Sequence, residues 1–120
     1  MSLTDESLVE VRDALAAGEY KAVEVVQACL DAIEATEPDI HALLSVQAEP
    51  ALAQALALDK AGPDRHKPLW GVPVVLKDNI AVQGAPCTCA SKILAGFTPF
   101  YDAHVTRRLK EAGAIVIGKA

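Results

Sequence analysis

Aromatic side chains are scarce in this sequence: one Trp, two Tyr and two Phe make up 4% of its 120 residues. A core built on stacked rings is therefore not expected, and what packs must be mainly aliphatic and alanine-rich. Cysteine is sparse as well. There are three, and the odd count, with Cys87 and Cys89 one residue apart, argues against a disulfide framework and for reduced thiols. His41, His66 and His104 do not combine with them in any finger spacing, so no metal site is expected. Basic residues are outnumbered, 11 Lys and Arg against 16 Asp and Glu, and they are scattered along the chain. The net charge of -5 leaves no electrostatic footprint for nucleic acid, and no direct nucleic-acid binding is expected. No apolar run reaches bilayer length, and the opening "MSLTDESLVEVRDAL" lacks the basic and apolar regions of a signal peptide. The expectation is no membrane association and a cytoplasmic location.

What is present is the composition of a folded chain: 52% hydrophobic and 22% charged residues. Leu8, Val11 and Leu15 recur at helical spacing behind the acidic Asp5 and Glu6, with Gly18 to close the segment. A second helix is predicted from about Ala22 to Thr36, its apolar face built on Val26, Leu30 and Ile33, and Pro38 is expected to stop it. "HALLSV" is short and apolar enough for a strand. "PALAQALALDKAG" has high helix propensity, opens on a first-turn proline and ends at Gly62. The turn-rich "GPDRHKP" then marks a boundary between an N-terminal helical segment, residues 1–62, and an α/β segment, residues 63–120.

Behind that boundary, "VPVVLK" and "AIVIG" are continuous apolar runs of the kind that form strands buried on both faces, which implies a parallel pair. Between them Asp102 can cap a helix that turns Val105, Leu109 and Ala112 inward and ends at Gly113. The fold class is α/β, N-terminal helices followed by a strand-helix-strand unit. The loop "QGAPCTCASKILAGFTPFY" is longer than a crossover requires, and such loops often carry function.

Lys77 ends the first apolar run, and alternation puts it on one face with Val75, while Val74, Leu76 and Asp78 take the other. Two readings are open on chemistry alone. Lys77 marks the wet end of a strand with Asp78 and Asn79 in an ordinary turn, or it enters a packed site, where a desolvated lysine becomes a usable general base. Ser91 reads as a helix N-cap rather than a nucleophile. Cys87 and Cys89 lack the accompanying histidine motif of a thiol catalyst, and His104 falls near a helix start as a surface or partly packed residue.

"GVPVVLKDNI", followed in order by "TCASKIL", "YDAHVTRRLKEAGA" and "IVIGK", resembles the amidase signature family, and "VVQACLDAIEATEPDIHALLSV" is similar to its N-terminal helical segment. Within the family the likeness is to the A subunits of tRNA-dependent amidotransferases. The resemblance implies an incomplete piece of the family's mixed-sheet fold and a Ser-cisSer-Lys triad in which Lys77 is the base. It also implies glutamine as the amide substrate, ammonia delivered to a B subunit, a small C subunit in the assembly, and ATP and Mg used by the complex but not bound by this chain. The family's two serines lie in Gly/Ser-rich segments, and no such run occurs in these 120 residues. The chain alone is therefore expected to be inactive and to leave apolar surface and a sheet edge unpaired, which favours self-association. The alternatives are another amidase-signature hydrolase and a stand-alone, non-catalytic interaction module.

Overall fold

In the computed structural model, which describes residues 2–120, the first helix is set by Ser7 rather than by the acidic pair before it. The Ser7 hydroxyl accepts from the Glu10 amide at 3.2 Å and the Glu10 carboxylate accepts from the Ser7 amide at 2.7 Å, so α1 runs Leu8–Ala16. This is a reciprocal capping box, and Asp5 belongs to a separate single turn at Leu3–Asp5. Helix α2 spans Ala22–Ile40 and passes through Pro38 instead of stopping there. Proline forfeits one backbone bond in a helix, yet the last turn is held by other donors. The His41 amide reaches the Glu37 carbonyl at 2.8 Å, and the Glu37 carboxylate accepts from the amides of Ala42 and Leu43 at 2.6 and 2.9 Å.

The brief strand expected in "HALLSV" is β1, Ser45–Val46, and α3 follows at Ala48–Ala61 with Pro50 in its first turn. Helix α3 presents Ala51 and Ala55, both buried, to its neighbours. It also caps α2. No side chain at Lys21 does so, and instead the Asp59 carboxylate accepts from the Ala22 and Val23 amides at 2.7 and 3.0 Å.

Strands β2, Pro73–Leu76, and β3, Ile115–Lys119, are the expected parallel pair, and β1 joins the opposite edge of β3 antiparallel. The sheet order is β1-β3-β2. Only the central strand is buried on both faces. Ile115 and Ile117 pack with Leu15, Val25, Val26, Ala51, Ala55, Trp70 and Val72, whereas Val116 packs with Leu76, Val82 and Ala85 on the other side. On the edge strand β2, Val75 is 43% exposed, which corrects the expectation of full burial for that run. Its apolar composition suits a two-sided core, but here one side faces solvent.

The crossover helix α4 covers His104–Glu111, slightly shorter and differently capped than expected. Ala103 stands at its N-cap; Asp102 turns away to accept from the Gln83 amide at 2.8 Å and to pair with Lys110 at 3.0 Å. The inward face carries Thr106, whose hydroxyl donates to the Ala81 carbonyl at 2.8 Å, while Val105 is 46% exposed. Gly113 ends the helix with φ of +95°, and a Cβ there would lie 2.7 Å from the Trp70 Cα. That close approach lets the Leu69 and Gly71 amides reach the Ala112 and Gly113 carbonyls at 2.8 and 3.0 Å, joining the entrance of β2 to that of β3.

Candidate functional site

Lys77 follows directly after β2 and is exposed, on the same open side as Val75, while Leu76 and Asp78 point inward. The alternation expected from sequence holds for these four residues. Among the described residues, the Lys77 side chain makes no hydrogen bond or ion pair. It is not desolvated among valines; of the two readings open on chemistry alone, the wet strand end describes its surroundings here.

The buried charge lies on the opposite side. Lys119, the last residue of β3, is fully buried, and its Nζ lies 3.3 Å from Asp78 Oδ1 and 3.2 Å from the Pro86 carbonyl oxygen. Asp78, 2% exposed, also accepts from the Thr88 amide at 3.0 Å and from the Thr88 hydroxyl. Its own backbone carbonyl takes the Cys89 amide at 3.1 Å and the Cys87 thiol at 3.4 Å. Burial pushes the Asp78 carboxyl up, but the Thr88 and Lys119 donors outweigh it and hold it below the ordinary value of 3.8. The Asp78 side chain bonds Thr88 and Lys119, not Lys77, and it is more than a turn residue. Asn79 is exposed in the turn that follows.

Sequence reasoning gives Lys119 no role, although "IVIGK" repeats the pattern of "PVVLK", an apolar strand ended by a lysine. Nothing local tells the two apart. The difference is topological: β3 is central and its end is roofed by the 78–90 loop, whereas β2 is an edge.

The other candidates stay apart from this cluster or serve it structurally. The Ser91 hydroxyl accepts from the Ile93 amide at 3.2 Å, capping the single turn Lys92–Leu94 as expected. Cys29, Cys87 and Cys89 are free thiols. His104 opens α4 at the surface with a ring nitrogen 3.4 Å from the Arg107 guanidinium. Among the described residues, no group of three or more His, Cys, Asp or Glu side chains converges as metal ligands would, and no helix is long and apolar enough to cross a membrane.

The chain is an α/β segment: a mixed sheet with N-terminal helices on one face and a lysine exposed on the open side at the end of its parallel edge strand. Residues 24–120 match the Amidase family, and the chain belongs to it. It is 58% identical over 118 residues, 98% of its length, to the A subunit of glutamyl-tRNA(Gln) amidotransferase from Solidesulfovibrio magneticus, and covers 24% of that protein. The same-named protein of Maridesulfovibrio salexigens is 53% identical over 119 residues, again with 24% of its length covered. Among solved structures, native peptide amidase from Stenotrophomonas maltophilia superposes with a TM-score of 0.84 at 33% identity, over 94% of this chain and 24% of that one. The chain thus spans about a quarter of the length of the curated relatives it matches.

Proposed function

We propose that this chain is the Lys77-bearing segment of the A subunit of a glutamine-dependent amidotransferase. The observation that carries the reading is 58% identity, over nearly the whole chain, to the A subunit of a glutamyl-tRNA(Gln) amidotransferase. In this proposal Lys77 is the general base of amide hydrolysis. A serine hydroxyl is a weak nucleophile until an adjacent base takes its proton, and Lys77 accepts that proton through the second, cis-bonded serine of the family's triad. Glutamine loses its side-chain amide as ammonia, which a B subunit uses to convert the activated carboxylate on misacylated tRNA; a small C subunit completes the assembly. The acidic balance of this chain, net -5, suits a protein that leaves tRNA to its partner. ATP and Mg belong to the B subunit in this scheme.

The solvent exposure of Lys77 has a physical reading. Water on the open side of β2 competes with a serine hydroxyl for the Lys77 side chain, so the proposed role requires surfaces that cover that side. The 120-residue chain alone is accordingly inactive, and Ile93, 93% exposed, and Phe100, 85% exposed, offer apolar surface through which it self-associates. Light scattering checks the second point: a monodisperse monomer speaks against it. The central test is Lys77→Ala in a complete A subunit carrying this segment, assayed by ammonia release from glutamine. Turnover should disappear while the circular dichroism spectrum is kept, and retained turnover would sink the assignment. The likeness to a peptide amidase favours one second reading, hydrolysis of other amides, which the same assay decides by comparing glutamine with small amide substrates.

A further inference from the structure

The backbone at Lys77 is tied on both sides to one point beyond β3. The Ala120 amide donates to the Leu76 carbonyl at 2.8 Å, and the Asp78 amide donates to the Ala120 carbonyl at 2.6 Å. The Lys77 carbonyl itself accepts from the Ile80 amide at 3.0 Å. Below this bracket sits the buried pair. Lys119 Nζ bridges Asp78 Oδ1 and the Pro86 carbonyl at 3.3 and 3.2 Å, and Thr88 donates to the other carboxylate oxygen, so Asp78 and Pro86 meet on a single ammonium and Thr88 closes the 78–88 loop on the carboxylate.

An ion pair with side chains 0% and 2% exposed is a poor way to gain stability, because removing both charges from water costs about as much as their attraction returns. What it supplies is uniqueness of arrangement. An apolar pair at these positions could slide or repack, whereas only one register of the loop against β3 satisfies an ammonium, a carboxylate and the Thr88 donors together. The residue whose exit point is fixed by that register is Lys77, since it lies between Leu76 and Asp78 and projects to the opposite side.

We propose that the buried Asp78–Lys119 pair, completed by Thr88, is a positioning device that sets where and in which direction Lys77 leaves the sheet. This role rests on the reading of Lys77 as general base. Asp78 and Lys119 touch no reacting atom; they act through the backbone of the residue between them and the strand. Their chemistry is consistent with this division, because a mutually neutralised pair on the far side fixes geometry without adding net charge beside the base.

The test uses a complete A subunit carrying this segment, with Asp78→Asn, Lys119→Met and Thr88→Val made singly. Kinetics on glutamine are read together with hydrogen exchange of the peptide covering residues 77–90. Displacement of a catalytic group by about 1 Å costs up to roughly 100-fold in rate, so kcat should fall about 10- to 100-fold in Asp78→Asn and Lys119→Met with KM within about twofold. Exchange in 77–90 should accelerate while the peptides of α1 to α3 keep their protection. Thr88→Val keeps both charges and should lower kcat about threefold in the same direction, which preserves the test if either charge variant fails to fold. Unchanged kcat in a folded Thr88→Val or Lys119→Met protein overturns the proposal, as does a loss matched by the fraction unfolded or a loss confined to KM. Retained turnover in Lys77→Ala overturns the base assignment instead, and leaves the exchange result to report on the anchoring alone.

Discussion

Two lysines end two parallel neighbouring strands in this chain, and they live in opposite surroundings. Lys77 closes β2 in solvent with no partner among the described residues; Lys119 closes β3 with no exposed surface, on Asp78 and the Pro86 carbonyl. The local sequences, "PVVLK" and "IVIGK", are close to interchangeable. What separates them is position in the sheet. A central strand that is roofed by a loop must satisfy its terminal charge internally, whereas an edge strand leaves its charge to water. The same comparison bears on the proposal: the Lys119 ammonium is committed to a buried pair, whereas Lys77, the proposed base, is committed to none among the described residues.

The largest effect expected from breaking this contrast is on stability. Lys119→Met leaves the Asp78 carboxylate buried without its counter-charge, and removing one member of a buried pair costs about 3–5 kcal/mol. Urea unfolding of Lys119→Met beside the parent measures it, and a midpoint unchanged at constant slope would show that the pair is not closed in solution. The doubly neutral Asp78→Asn with Lys119→Met should recover part of the loss, because both desolvated charges are then gone.

A smaller effect follows from acid. Asp78 and Asp102 are both pushed up by burial but held below 3.8 on balance, Asp78 by Thr88 and Lys119 and Asp102 by the Gln83 amide and Lys110. A carboxyl with a depressed folded value binds protons more readily when unfolded. Its contribution is therefore intact above the unfolded value, about 3.9, and is lost as pH falls from there through the folded value. Thermal melts from pH 6 down to about 2.5 should show stability declining below roughly pH 4, with a shallower decline in Asp78→Asn. An equal slope in both proteins would remove Asp78 from the account.

Much of the fold is legible in the amino-acid sequence, and the failures have a common cause. Apolar spacing locates the four α-helices and the parallel pair, because those patterns are local. The amidase resemblance carries the mixed sheet. What escapes is set by partners distant in sequence: Asp59 capping α2 from α3, Glu37 carrying α2 past Pro38, and Asp102 drawn off its helix by Gln83 and Lys110. Ser7 is different, since its reciprocal bond with Glu10 is local and the Ser-x-x-Glu spacing is there to be read. The site divides in the same way. Strand alternation places Lys77 and Asp78 on opposite faces correctly, but nothing within either segment pairs residue 78 with residue 119, 41 positions on.

The smallest expected effect is the sharpest check on the contrast between the two lysines. Lys77→Met replaces an exposed ammonium that has no partner among the described residues, so no buried group loses a bond and no cavity opens. Substitutions of this kind stay within about 0.5 kcal/mol. Urea midpoints of Lys77→Met and parent should therefore coincide within error, while the same substitution at residue 119 shifts the midpoint strongly. A loss at residue 77 approaching that at residue 119 would mean that Lys77 holds a buried partner in solution. The open side of β2 would then be covered, and the assignment of one lysine to structure and the other to chemistry would fail at its root.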